Sequence, residues 1–227
     1  MAQSGSQPST RLRPAVAGYR LAVAALMAVA LGFTAYRAGF SGSTGLVNFF
    51  SYFTILSNIL GTVVFLVGGI GLLRGGAGAP DLLRGAAALY LVITGIVYGV
   101  ALAHYDTPQV IPWVNAVVHK LTPLVFLLDW LLDPPRRPLR LSRAAVAWLA
   151  VPVVFLVESL ARGPAAGWYP YPFLDPRGHG YLRVAVSCVI VAVAFVAAGA
   201  GLLWAGRALR TRRATTTTAV KPAHSQH

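Results

Sequence analysis

The stretch NFFSYFTILSNILGTVVFLVGGIGLL, residues 48–73, decides the fold. It holds no Asp, Glu, Lys or Arg. A helix needs about 20 apolar residues to cross the hydrocarbon of a bilayer, and this run exceeds that. Taken from Leu46, the segment 46–73 is long enough to tilt, or to begin as an interfacial turn before the span proper. Working outward, five other segments have the same character: 17–36, 85–104, 112–132, 144–161 and 181–206. The first has a basic flank (Arg11, Arg13, Arg20), but its apolar core is longer than that of a signal peptide. No A-x-A-like cleavage site follows it cleanly, so it reads as a retained span. The predicted fold is all-α: an integral membrane bundle of six transmembrane helices.

Composition agrees. Charged residues make up 11% of the 227-residue chain and mean hydropathy is +0.66; an ordinary soluble domain is about 25% charged. The net charge of +13 would suggest a nucleic-acid partner if the basic residues formed one patch. They fall instead in short loops and tails, the pattern of membrane topology signals. Fourteen Lys and Arg fall in the two tails, the second-to-third loop and the fourth-to-fifth loop; Arg37, Arg162, Arg177 and Arg183 fall on the opposite side. The positive-inside rule then places both termini in the cytoplasm, and an even number of spans requires the two to agree. The Arg-, Ala- and Gly-rich composition points to a GC-rich bacterial genome and so to a bacterial inner membrane. Residues 1–16 read as a disordered cytoplasmic tail, 17–206 as the membrane domain and 207–227 as a basic disordered tail. The single cysteine, Cys188, excludes an intrachain disulfide and reads as a small packing residue. In the loop GPAAGWYPYPFLDPRGHGY, the residues Trp168, Tyr169, Tyr171 and Tyr181 suit an aromatic belt.

Polar groups inside the spans are the functional candidates, because they are costly in a bilayer. Thr54 lies eight residues beyond Leu46, about 12 Å along a continuous helix. His119, in WVNAVVHKLTPLVFLLDWLL, lies seven residues beyond Pro112, about 10 Å along. Both fall at similar depth below the outer surface. Ser51, Thr54 and Asn58 share one helical side, and Asn115 lies one turn before His119, where it can fix the imidazole tautomer. Lys120 and Glu158 fall at comparable depth and could pair. Asp129, nine residues from Lys120, lies on the opposite face of the same helix. A hydroxyl beside an imidazole makes a nucleophile with its base. The plain alternative is packing, since Ser, Thr and Asn commonly hydrogen-bond to backbone on membrane helices. Gly95-x-x-x-Gly99 is a common helix-packing motif. No zinc-type spacing, serine elbow or phosphate loop is present, and no cofactor or metal is expected.

SYFTILSN followed two spans later by NAVVHKLTPLVFLLDW resembles the androgen-induced / androgen-dependent multi-span membrane protein family, and more narrowly its bacterial six-span branch. The resemblance implies an intramembrane threonine hydrolase that cleaves fatty-acid esters of hydroxy fatty acids, with Thr54 and His119 as catalytic residues. Asn115 matches an asparagine four residues before the family's histidine. The expected partners are membrane lipids and a lipid ester substrate; oligomeric state is not legible.

In such a reaction His119 serves as base, Thr54 attacks an ester carbonyl, and an oxyanion donor is required. Asn58, Ser57 and Lys120 are the candidates for that donor, with Glu158 in support of Lys120. Three other readings stay open: a small transporter using His119, Lys120 and Glu158; a haem-binding bundle using His104 and His119; and a non-catalytic membrane protein.

Overall fold

The computed structural model describes residues 13–40, 45–103, 110–178 and 180–219, with side chains up to residue 39 and from 45 to 212 within those ranges. The described residues form helices and turns, without strands. Eight α-helices follow in order: α1 Arg13–Phe40, α2 Gly45–Phe50, α3 Phe53–Leu73, α4 Asp81–Val97, α5 Pro112–Ala116, α6 Thr122–Leu132, α7 Leu141–Ala166 and α8 Gly180–Ala219. Two wider π-helical turns, Tyr98–Leu102 and Val117–Leu121, extend α4 and join α5 to α6. Six stretches are long and apolar enough to cross a membrane: Arg13–Gly39, Phe53–Leu73, Asp81–Leu102, Pro112–Leu132, Leu141–Ala166 and Gly180–Arg212. They correspond one for one to the predicted spans and make an all-α bundle of the kind expected for a multi-pass membrane protein.

The bundle is built around α4, which packs on α3, α6, α7 and α8. Its segment Arg84–Leu91 is buried throughout. The small residues Gly85, Ala86, Ala87 and Ala88 make this possible. A Cβ on Gly85 would run into the ring of Trp148. Small residues at helix contacts let backbones approach closely. The large rings then fill the space: Phe65 stacks on Phe126 at 3.9 Å, and Trp130 meets Trp148 edge to face at 6.2 Å. Both indoles satisfy their N–H on backbone carbonyls of neighbouring segments, Trp130 on Leu202 (2.8 Å) and Trp148 on Leu82 (2.9 Å). Of the packing motif, only Gly95 is used. A Cβ there would come within 2.9 Å of the Pro123 ring, whereas Gly99 faces open space.

Three sequence expectations change. The depth of Thr54 changes, because the segment 46–73 takes the second of its two expected forms and begins as a turn before the span proper: α2 ends at Phe50, the chain turns at Ser51 and Tyr52, and α3 starts at Phe53. Thr54 is therefore the second residue of a helix rather than 12 Å along one. The predicted basic tail is in part helical, because α8 runs on to Ala219; residues 220–227 and 1–12 lie outside the described residues. The start of that tail, RALR (207–210), is made of good helix formers.

Finally, Arg20 and Arg84, counted above as loop and tail charges, are buried in an ion cluster at the end of the bundle away from Thr54. Arg20 bonds Asp129 and Asp133, both at 2.7 Å. Arg84 bonds Asp81 (3.1 Å), Asp129 (3.0 Å) and Asp133 (3.2 Å), and Tyr19 donates to Asp129. Two guanidinium groups thus meet three carboxylates, tying α1, α4 and α6 together. Burying any one of these charges alone would be costly, which is why they cluster.

Candidate active site

Thr54 and His119 meet. Thr54 Oγ1 lies 3.4 Å from His119 Nε2. The other imidazole nitrogen, Nδ1, lies 2.7 Å from Asn115 Oδ1. A carbonyl oxygen only accepts, so Nδ1 carries the proton and Nε2 presents its lone pair to the threonine hydroxyl. Asn115 is itself oriented by Tyr98, whose phenol oxygen accepts from Asn115 Nδ2 at 2.6 Å. The Tyr98 ring also stacks on the imidazole, 4.2 Å between centroids and 19° between planes.

Local sequence explains this geometry. Pro123 has no N–H to offer the carbonyl of His119, four residues earlier, so an ordinary helical bond is missing there. The ladder widens instead: Thr122 N–H reaches back five residues to Val117. Such π-turns are frequent at functional sites. The second π-turn starts at Tyr98 itself, and Ala103 N–H closes it on the Tyr98 carbonyl. Both wide turns therefore hold a ring of the site.

Thr54 is placed by the break in the second segment. At the start of α3 the N-cap residue Tyr52 makes no side-chain cap, so the first N–H groups need partners from elsewhere. The Tyr171 phenol supplies one: its oxygen accepts from Thr54 N–H at 3.2 Å and lies 3.4 Å from Thr54 Oγ1. Tyr171 comes from the loop after α7, which is pinned on both sides. Arg177 donates to the carbonyl of Gly167 at 2.8 Å and pairs with Asp175. Arg162 donates to Ser51 (2.8 Å) and Asn48 (2.6 Å) and lies against the Trp168 ring. Burial pushes the Tyr171 phenol above its ordinary value, against the opposing pull of its hydrogen bonds with Thr54 and Phe53, so it is a protonated donor at neutral pH. The hydrogen bonds from Arg177 hold the Asp175 carboxyl down at about 2, and the loop clasp stays ionised over any ordinary pH.

Beside Thr54 opens an apolar cavity of about 210 Å³. Phe53, Thr54, Thr94, Phe155, Tyr171 and Phe195 are on its wall, and none of the described residues lining it is charged. Val153 of α7 and Val196 of α8 line it too and are exposed on the outer apolar surface. His119 does not line the cavity; the threonine stands between cavity and base. Thr94 is 6% exposed, and its hydroxyl has no hydrogen-bond partner among the described residues.

The other predicted residues fall elsewhere. Asn58 is fully buried and has structural duties: Nδ2 donates to the carbonyls of Thr54 (2.8 Å) and Val118 (3.3 Å), and Oδ1 accepts from Thr122 (3.1 Å). It ties α3 to the His119 turn and has no donor left for an oxyanion. Ser57 donates back to Phe53 at 2.7 Å and is not on the cavity wall. Lys120 is exposed, as is Glu158, and neither makes an ion pair among the described residues; their expected pairing does not form, because one helical step beyond His119 turns Lys120 outward. Ser51 belongs to the α2 turn rather than to a polar face shared with Thr54. Asp129 does lie away from Lys120, as expected, in the ion cluster. His104, of the haem reading, lies outside the described residues. Sequence reasoning missed Tyr98 and assigned Tyr171 to an aromatic belt, whereas it is buried.

Comparison of the chain with protein-family models, with curated proteins and with solved structures finds no match in any of the three.

Proposed function

We propose that the protein is an intramembrane threonine hydrolase that cleaves lipid esters of fatty acids, in a bacterial inner membrane with both termini in the cytoplasm. The observation that carries this reading is the contact of Thr54 Oγ1 with His119 Nε2 at 3.4 Å, beside an uncharged cavity. The contact is longer than a strong hydrogen bond, as is common for a catalytic pair before substrate is bound. The resemblance of SYFTILSN and NAVVHKLTPLVFLLDW to the androgen-induced / androgen-dependent family supports the same pair of residues.

The chemistry runs as follows. His119 Nε2 takes the proton of the Thr54 hydroxyl while Oγ1 bonds to the ester carbonyl carbon, and the carbonyl π pair moves onto oxygen. When that pair returns, the C–O bond of the leaving alcohol breaks, and the alcohol takes the proton from His119. The acyl-threonine is hydrolysed by a water that gives its proton to the same nitrogen; the acid leaves and Thr54 is reprotonated. Asn115 holds Nδ1–H in place throughout, so the imidazole acts through Nε2 alone. A cavity without charge suits an acyl chain and excludes a carboxylate at its inner end. The unpaired hydroxyl of Thr94 leaves a donor for an oxygen atom of the bound lipid.

The test uses full-length protein in lipid nanodiscs with a p-nitrophenyl ester of a medium-chain fatty acid. Thr54→Ala and His119→Ala each lower turnover by roughly 10²–10⁴-fold. Full turnover in both variants, with the fold intact, refutes the reading.

A further inference from the structure

The reaction needs a donor for the charge that develops on the carbonyl oxygen, and the three candidates named from sequence are spent or turned away. Asn58 has both amide hydrogens on backbone carbonyls, Ser57 donates to Phe53, and Lys120 faces outward. Among the described residues, one hydroxyl remains that is both on the cavity wall and in contact with the nucleophile: that of Tyr171, 3.4 Å from Thr54 Oγ1.

We infer that Tyr171 is a catalytic residue of the site, donating its phenol proton as a hydrogen bond to the carbonyl oxygen of the ester as Thr54 attacks. This assignment rests on the hydrolase reading. Its physical basis is the direction of the hydrogen bonds. Thr54 must give its own proton toward His119 Nε2, so at rest its oxygen accepts from Tyr171. The Tyr171 oxygen in turn accepts from Thr54 N–H at 3.2 Å, one of the unpaired donors at the start of α3. The positive end of the helix dipole lies behind that bond, and a hydroxyl that accepts such a bond becomes a stronger donor. When Oγ1 bonds to carbon it loses electron density and becomes a poor acceptor. The phenol proton is then released toward the neighbouring oxygen, where negative charge is appearing. The tyrosine loses no proton; it exchanges one acceptor for another, and the interaction is strongest in the transition state.

The ring is held so that it need not move far. It stacks on Phe173 at 5.2 Å and 4°, and Tyr52 meets it edge on at 5.9 Å. Its 8% exposure keeps water from competing for the bond.

The experiment compares Tyr171→Phe with wild type in nanodiscs, using the same p-nitrophenyl ester. The ring contacts persist and the hydroxyl is lost. The expected result is a fall in kcat of roughly 10²–10³-fold, the usual effect of losing one oxyanion donor, with little change in KM. A long-chain trifluoromethyl ketone, which forms a tetrahedral oxyanion on the threonine, should lose affinity by the same factor. The plain alkane of equal length should bind both proteins alike. An unchanged kcat, or an equal loss of ketone and alkane binding, overturns the assignment. If Thr54→Ala abolishes turnover while Tyr171→Phe preserves it, the hydrolase reading stands and only the tyrosine is wrong. If Thr54→Ala keeps full turnover, the hydrolase reading itself has failed. Should Tyr171→Phe not fold, difluorotyrosine at this position keeps every contact and alters only the donor strength. A kcat that does not respond to it refutes the role.

Discussion

Asn115 joins two rings, accepting from His119 Nδ1 and donating to the Tyr98 phenol. Replacing it with Leu removes the acceptor that holds the proton on Nδ1, so the tautomer is no longer fixed from that side. Turnover should fall by up to roughly 10²-fold, toward the lower end of what a positioned base contributes, with KM nearly constant in steady-state assays. Tyr98→Phe keeps the stacked ring and removes the acceptor for Asn115, which should cost about 1 kcal/mol. Thr94→Val has the opposite sign. Its hydroxyl is buried without a partner, so removing it should raise the thermal unfolding midpoint of the ligand-free protein, by about 1 kcal/mol or more of stability. At this scale much was legible in the sequence. A threonine, a histidine and an asparagine one turn before it stand out because polar groups are rare in such segments. Tyr98 and Tyr171 were not legible, since a tyrosine in an apolar run looks the same whether its hydroxyl is spent on lipid headgroups or on a neighbouring side chain. The oxyanion candidates failed for a related reason: side-chain amides and hydroxyls on a helix are readily taken by backbone carbonyls one turn back, as in Asn58 and Ser57.

Among the elements, the two π-turns and the break before α3 do most to shape the site. Spacing alone gave the six spans, because a span is fixed by the length of its apolar run. It left open whether the segment 46–73 was straight. The break at Ser51 and Tyr52 lets α3 begin at Phe53 and so leaves the N–H of Thr54 outside the helix ladder. The π-turn at Val117–Leu121 depends on Pro123, which is seated against Gly95. Gly95→Ala would push a methyl group within 2.9 Å of that ring. Overpacking of this kind costs about 1–3 kcal/mol, and here it also displaces the turn that carries His119, so both stability and kcat should drop. Gly99→Ala is the matched control. It meets open space, and alanine is the better helix former, so thermal unfolding should be unchanged or slightly raised.

Across the whole molecule, the reactive groups and the buried ion cluster occupy opposite ends. The Arg20, Arg84, Asp129 and Asp133 cluster spans α1, α4 and α6, and side-chain exposure at Arg20, Arg84 and Asp129 is 4% or less. Asp129→Asn leaves two guanidinium groups short of a shared partner. Breaking one side of a buried pair typically costs about 3–5 kcal/mol, a large share of the stability of a typical domain. The expected outcome is a sharply lowered unfolding midpoint in nanodiscs with near-normal turnover in the protein that remains folded, because the site lies a helix length away. The cluster also dictates an order of assembly. Asp133 is made 113 residues after Arg20, so a ribosome-bound chain holds its earliest span as an orphan cation until the fourth one arrives. That first rod must wait near the headgroups or beside the insertion machinery, and it locks into place only once the later acids are in reach.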